Sequence, residues 1–192
     1  DPERKGWIAS QYVSYVHDNS LWTDIGPIDG HILALSAGVA SDFSNARFDS
    51  HTAILDARQY LRLGRRSALA FRWLGFHSGG DRPQRVNIGG ALGIRGYPNY
   101  GYIIGSRVWM LNSELRYPLL NYFTLGTPIG AIRFPEVQAA FFGDVGRAWQ
   151  LGDEHRALIG SFGVGFRMPL IPGFVLRLDW GRRFSDAHFA GY

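Results

Sequence analysis

The sequence predicts an all-β protein, an antiparallel transmembrane β-barrel with about eight strands in this chain. Three observations lead there. Apolar and polar residues alternate with period two over runs of about ten residues, separated by Gly, Pro, Asp and Asn. The chain carries 13 Phe, 9 Tyr, 6 Trp and 25 Gly, yet its mean hydropathy is only −0.10, which suits strands with one apolar face better than buried helices. No run approaches the roughly 18 to 20 apolar residues that a membrane-spanning helix needs, so a membrane location would require a closed barrel.

Strands are expected near residues 7–18, 30–41, 47–61, 66–77, 105–117, 134–148, 157–168 and 173–185. The alternation is clearest late in the chain. In the fifth run, Trp109, Leu111, Leu115 and Tyr117 oppose Ser106, Asn112, Glu114 and Arg116. In the seventh, Phe162, Val164, Phe166 and Met168 oppose Ser161, Gly163, Gly165 and Arg167, and in the eighth Leu176, Leu178 and Trp180 oppose Arg177, Asp179 and Gly181. A soluble barrel turns such an apolar face inward and a membrane barrel turns it outward. Two details favour the membrane arrangement. The polar face combines Arg with Asp or Glu and small glycines, as a crowded lumen requires. The apolar face ends in aromatics such as Tyr117, Trp149 and Trp180, where an interfacial girdle would lie.

Two irregular stretches interrupt the strands, 78–104 and 118–133, the latter holding Pro118 and Pro128. Loops longer than about 15 residues in a compact domain are usually functional or disordered. The first is too rich in Gly and aromatics for a polar disordered segment and is expected to be ordered. No domain boundary or low-complexity linker appears, so residues 1–192 read as one domain.

Net charge is +4, and 19 of the 20 basic residues are arginine. Arginine's planar fork pairs with carboxylates and phosphates in crowded sites. An internal Arg/Asp/Glu network, arginines facing anionic headgroups, and a genomic bias toward arginine all fit this usage. The basic residues are spread along the chain, which argues against a nucleic-acid partner. There are no cysteines, so no disulfide framework or thiolate metal site is available. The first residues, Asp1 to Lys5, lack the apolar core of a signal peptide, as in a mature chain or an excised part of a longer one.

The histidines, His17, His31, His51, His77, His155 and His188, have no metal-ligand spacing, and no Gly-x-Ser-x-Gly elbow or phosphate loop is present. No catalytic residue, metal or cofactor is therefore expected. The informative segments are Gly89 to Tyr97, with the tip Ile94-Arg95-Gly96-Tyr97, then Asn112-Ser113-Glu114-Leu115-Arg116-Tyr117-Pro118, then Phe142-Gly143-Asp144-Val145-Gly146. Opposite charge makes Asp144 a candidate partner for Arg95, and Glu114, on the face of Arg116, a second. Gly143 and Gly146 flank Asp144 in a strand, where glycine suggests close approach of another backbone. Gly163 and Gly165, leading to Arg167, allow either such an approach or a bend in the wall.

In order and spacing these segments resemble the BamA/TamA superfamily of outer-membrane assembly and translocation barrels, also known as bacterial surface antigens. Weaker similarities, Val16 to Asn19, Gly26 to Gly30 and Asp56 to Tyr60, look like members joined to a TolB-like periplasmic propeller. The resemblance spans roughly residues 10 to 184. It implies a protein of the Gram-negative outer membrane that inserts or translocates client proteins without catalysis. Its partners would be outer-membrane lipids, clients and a periplasmic domain or accessory subunit. It also implies an Arg-Gly-aromatic loop folded into the lumen against an acidic wall residue, here Arg95 against Asp144, and a weak seam between first and last strands that templates clients by β-augmentation.

The chain departs from that pattern in having about eight strands rather than about sixteen, and no POTRA-like repeats. Its last residues, His188 to Tyr192, end in an aromatic but are short. An eight-stranded lumen is just wide enough for side chains and could not admit the loop. The chain is therefore expected to be the C-terminal half of a larger barrel. Counting crossings back from the loop places the start of the first strand on the loop's side of the membrane. A structural anchor for a periplasmic domain and, more remotely, a soluble ligand-binding barrel are the competing readings.

Overall fold

The computed structural model describes residues 7–44, 47–99, 103–128, 130–134, 136–153, 157–171 and 174–186. Residues 1–5, His155, His188 and the terminal run 188–192, all considered above, lie outside the described residues. Eight long strands form one antiparallel sheet: β1 (Ile8–Asp18), β3 (Pro27–Asp42), β4 (Arg47–Arg62), β5 (Ala68–Gly80), β8 (Arg107–Leu120), β11 (Val137–Trp149), β12 (Ile159–Ile171) and β13 (Phe174–Ser185). They pair in that order. Short β2 (Leu21–Trp22) pairs with β3, β6 (Val86–Asn87) with β7 (Ile104–Gly105), and β9 (Phe123–Thr127) with β10 (Gly130–Phe134).

Within this chain the sheet does not close into a barrel. β1 and β13 lie at its two edges and do not pair with each other. The physical reason matches the width argument: loop residues 84–97 lie against the inner face, and eight strands closed on themselves leave room only for side chains.

The strands are nevertheless offset as barrel strands are. Following paired residues across the sheet leads from Ser185, at the loop end of β13, to Val16, near the far end of β1. The loop-end residue of β1 is Ile8, eight residues away, after seven strand steps. With ~3.3 Å per residue and ~4.8 Å between strands, strand ends sharing one rim imply a tilt of about 40°. That falls in the range for barrel walls.

Burial is inverted relative to a soluble sheet. On β12, Ser161 is 1% exposed and Arg167 5%, whereas Phe162 is 55% exposed. Val164 and Phe166, and on β13 Leu176, Leu178 and Trp180, are also exposed. The apolar alternation therefore faces outward and the polar one inward. Of the aromatics expected at the strand ends, Tyr117 and Trp149 lie toward opposite ends, but Trp180 sits mid-strand in β13.

The inner face also carries an apolar patch near the loop. Phe76, Val108, Met110 and Ala148 pack against Ile88, Ile94 and Ile103 of the loop, and this cluster is the core of the molecule. The stretch 118–133 is not irregular as expected. Pro118 to Leu120 continue β8, and β9 and β10 form a hairpin beyond it. Pro118 is tolerated because the pairing shifts by a bulge at Val137/Gln138, and Pro128 falls between the hairpin strands.

Candidate functional site

The site begins with the path of the loop. β6 and β7 pair at its base, and the tip is folded tightly: the Ile94 amide donates to the Ile88 carbonyl at 2.7 Å, and Gly93 to Gly90 at 3.1 Å. Gly90 and Gly96 have φ of 101° and 82°, a region in which a side chain is strained. This fold aims Ile94 and Arg95 at the wall, where Ile94 is fully buried.

Arg95 enters a pocket on β8 and β11. Its Nε and Nη2 donate to the two Asp144 carboxylate oxygens, each at 2.7 Å, and its backbone amide reaches the same carboxylate at 3.1 Å. Nη1 donates to Glu114 Oε2 at 2.6 Å. The guanidinium carbon lies 3.7 Å from the centroid of the Phe142 ring. Arg95 is 5% exposed and Asp144 2%. One arginine thus meets two carboxylates and an aromatic face, which offsets the desolvation of a buried charge.

The pair is the centre of a larger network. Arg116 Nε donates to Glu114 Oε1 at 2.8 Å and Arg167 Nη2 to Glu114 Oε2 at 2.9 Å. Arg167 and Arg177 each hold Asp179 at 2.7 Å. Asn112 donates to Asp144 at 2.8 Å, and the Ser161 hydroxyl lies 3.4 Å from it. Four arginines therefore face three carboxylates across β8, β11, β12 and β13. A second cluster braces the other flank: Arg58 and Arg72 hold Asp56, and Arg72 also donates to the Leu92 carbonyl of the loop at 2.8 Å.

The loop reaches both edges of the sheet. Near its base the Gln84 amide donates to Tyr12 Oη of β1 at 2.7 Å. At its tip the Tyr97 hydroxyl donates to the Phe184 carbonyl of β13 at 2.9 Å, with Arg183 over its ring. Burial pushes the Tyr97 phenol above its ordinary pKa, which keeps it a donor. Gly96 lies against the Arg183 side chain, where a Cβ would sit 3.3 Å from Cγ.

Of the residues singled out from sequence, Ile94, Arg95, Glu114, Arg116, Asp144 and Arg167 converge here. Gly146 lies under the loop tip: a Cβ there would stand 3.1 Å from the Ile94 methyl group. Gly163 makes room first for the backbone of β13, at the Trp180 carbonyl and at Gly181 Cα, 2.6 Å from where its Cβ would stand, and Gly165 makes room first for the Asp179 carboxylate. A Cβ at Gly163 would meet the Phe142 ring at 2.9 Å, and one at Gly165 the Arg167 guanidinium at 2.7 Å. Gly143 does not serve the loop. Its parity is opposite to that of Asp144, and its missing side chain would point outward beside the Ser113 hydroxyl.

Phe142, Asn112, Ser161, Arg177 and Asp179 complete the site without having been assigned to it from sequence. Their signal was parity: Phe142, Asn112 and Ser161 share the faces of Asp144, Glu114 and Arg167 in their own strands, and Arg177 and Asp179 lie on the polar face of β13, Arg177 opposite Arg167. His17 approaches His31 at 5.1 Å and His51 approaches His77 at 5.7 Å, ring to ring across neighbouring strands. Among the described residues no group of three or more metal-ligating side chains converges. The fold and site define an antiparallel wall with an outward apolar face and a loop locked to its charged inner face. The sequence matches no family model and no curated protein.

Proposed function

We propose that this chain is part of the wall of an outer-membrane β-barrel similar to the assembly and translocation barrels, and that it acts on client proteins by pairing strands rather than by chemistry. The observation that carries this reading is the inverted burial, with charged side chains enclosed beneath the loop and aliphatic and aromatic ones exposed on the far side. Lipid is the solvent that favours such a surface. The similarity of the Arg-Gly-Tyr tip, the Asn-x-Glu-x-Arg segment and the Phe-x-Asp-x-Gly segment to that superfamily adds to it. The two unpaired edges, β1 and β13, supply the hydrogen-bonding groups that a client strand or further strands of the same wall would use.

In this reading the Arg95 network does no chemistry. It holds β8, β11, β12 and β13 as one plate, so that movement is confined to the edges. The test is client folding: the protein is reconstituted in vesicles and the folding of a small unfolded outer-membrane barrel is timed with and without it. Acceleration that disappears when β1 or β13 is blocked by an added proline supports the assembly reading. Stable insertion with no effect on the client would leave a structural anchor in its place.

A further inference from the structure

We propose that the rim opposite the loop carries a binding site for the headgroup phosphate of an anionic glycerophospholipid, formed by Arg62, Arg65 and Arg66. This rests on the membrane reading above. The three arginines sit at the turn between β4 and β5, which is closed by the Leu63 and Gly64 amides donating to the Ser67 carbonyl at 3.0 and 3.3 Å. Because Ala68 pairs with Arg116, the turn stands beside Tyr117 and Pro118 of β8. Between them lies a cavity of about 820 Å³, lined by the three arginines and by Ser67, Tyr117, Asn121 and Tyr122.

The charge of this cavity is one-sided. Among the described residues no Asp or Glu lines it. Arg66 donates through Nη1 to Glu136 at 2.6 Å, and its guanidinium carbon stands 6.0 Å from the centroid of the Tyr122 ring. Arg62 donates through Nε to the Gly64 carbonyl at 3.1 Å and meets no carboxylate among the described residues. Arg65 makes no hydrogen bond or ion pair with any described residue. Two guanidinium groups without a carboxylate therefore border one cavity. A phosphate satisfies them, because its oxygens accept the paired N–H donors of arginine.

Depth identifies that phosphate as a lipid's. Tyr117 lies ten residues along β8 from Arg107, the residue paired with Trp149 at the loop end of the outer face. At ~3.3 Å per residue and a tilt of about 40°, the two aromatics stand about 25 Å apart along the barrel axis. That is about the height of the apolar band between the aromatic girdles of a transmembrane barrel. The arginines fall at the second girdle, where the headgroup phosphates of the far leaflet lie. Leu61, Leu63 and Leu119 are exposed beside them and offer acyl chains a surface for which a free phosphate has no use.

The experiment uses the protein folded in zwitterionic micelles containing phosphatidylglycerol and phosphatidylcholine in equal amounts, with retained lipid read by native mass spectrometry. Retention of one phosphatidylglycerol per chain is expected, favoured about tenfold over phosphatidylcholine, as one charge-assisted contact allows. Combining Arg62→Gln with Arg65→Gln is expected to abolish the preference. Arg85→Gln, which removes the same charge in the loop at the other end of the strands, is expected to leave it intact. A folded protein with no preference, a preference undiminished in the double variant, or one lost equally in Arg85→Gln overturns the site alone. Displacement of the lipid by inorganic phosphate or by hexaglutamate at the lipid's own concentration also overturns it, and assigns the arginines to a free anion or to an acidic protein surface. A chain that cannot fold in detergent at all overturns the membrane reading beneath it.

Discussion

Arg95 donates through every nitrogen of its guanidinium, and its stability depends on both carboxylates being present. Removing one member of a buried ion pair leaves the other uncompensated, at a cost of about 3 to 5 kcal/mol. Arg95→Ala and Asp144→Ala are each expected to destabilise by that amount, measured by denaturant unfolding in detergent. The double variant should cost less than the sum. Additive costs would mean that the two side chains do not act as a pair. Gly163 offers a second test at this scale, because a methyl group there would press on the β13 backbone at Trp180 and Gly181 and on Phe142, which in turn lies against the Arg95 guanidinium. Gly163→Ala is expected to cost about 1 to 3 kcal/mol by the same assay, and an unchanged stability would contradict the close approach of β12 to β13 at this position. The pairing of Arg95 with an acidic wall residue was legible from motif order and opposite charge. The extent of the network was not, because linear spacing does not say which strands lie side by side.

At the scale of the element, the loop is held by its apolar contacts as much as by its charge. Ile94 fills a space between Met110 and Gly146 and is fully buried. Truncation to alanine is expected to cost about 2 to 5 kcal/mol, with hydrogen exchange rising first in residues 86–99. Tyr97→Phe removes the hydroxyl contact from the tip to the Phe184 carbonyl of β13. Exchange is expected to rise in β13 while β4 and β5 stay protected; equal change in all strands would argue against the loop as a local brace. On the outer face, Val164→Arg and Leu178→Arg are each expected to cost about 2 to 4 kcal/mol near the membrane midplane, read as the loss of heat-modifiable mobility after folding into vesicles. All eight long strands were legible from period-two alternation, with ends displaced by up to about three residues. The β9–β10 hairpin was missed because Pro118 and Pro128 read as breakers, although one sits at a bulge and the other between the strands.

At the scale of the whole molecule, the structure is an open antiparallel sheet whose strand offset corresponds to a tilt of about 40° and whose burial is inverted, as the proposed barrel wall requires. The loop ties β1 through Tyr12 and β13 through Phe184, so the edges are joined from inside although they do not pair. Alternation in the sequence left the direction of the apolar face open, since a soluble barrel reads the same way. The loop resolves the direction within this fold, because it covers the polar face and leaves the other bare. Whether lipid meets that bare face is the central claim, and spin-label accessibility tests it most directly. Single labels placed in turn at residues 161 to 168 and 175 to 181, with the protein in bilayers, are read for collision with oxygen and with a water-soluble nickel complex. The account predicts strict alternation, with oxygen contact highest at positions 162, 164, 166, 176, 178 and 180 and nickel excluded there. Uniform nickel access along both strands, or oxygen maxima at 163, 165, 177 and 179, would contradict it.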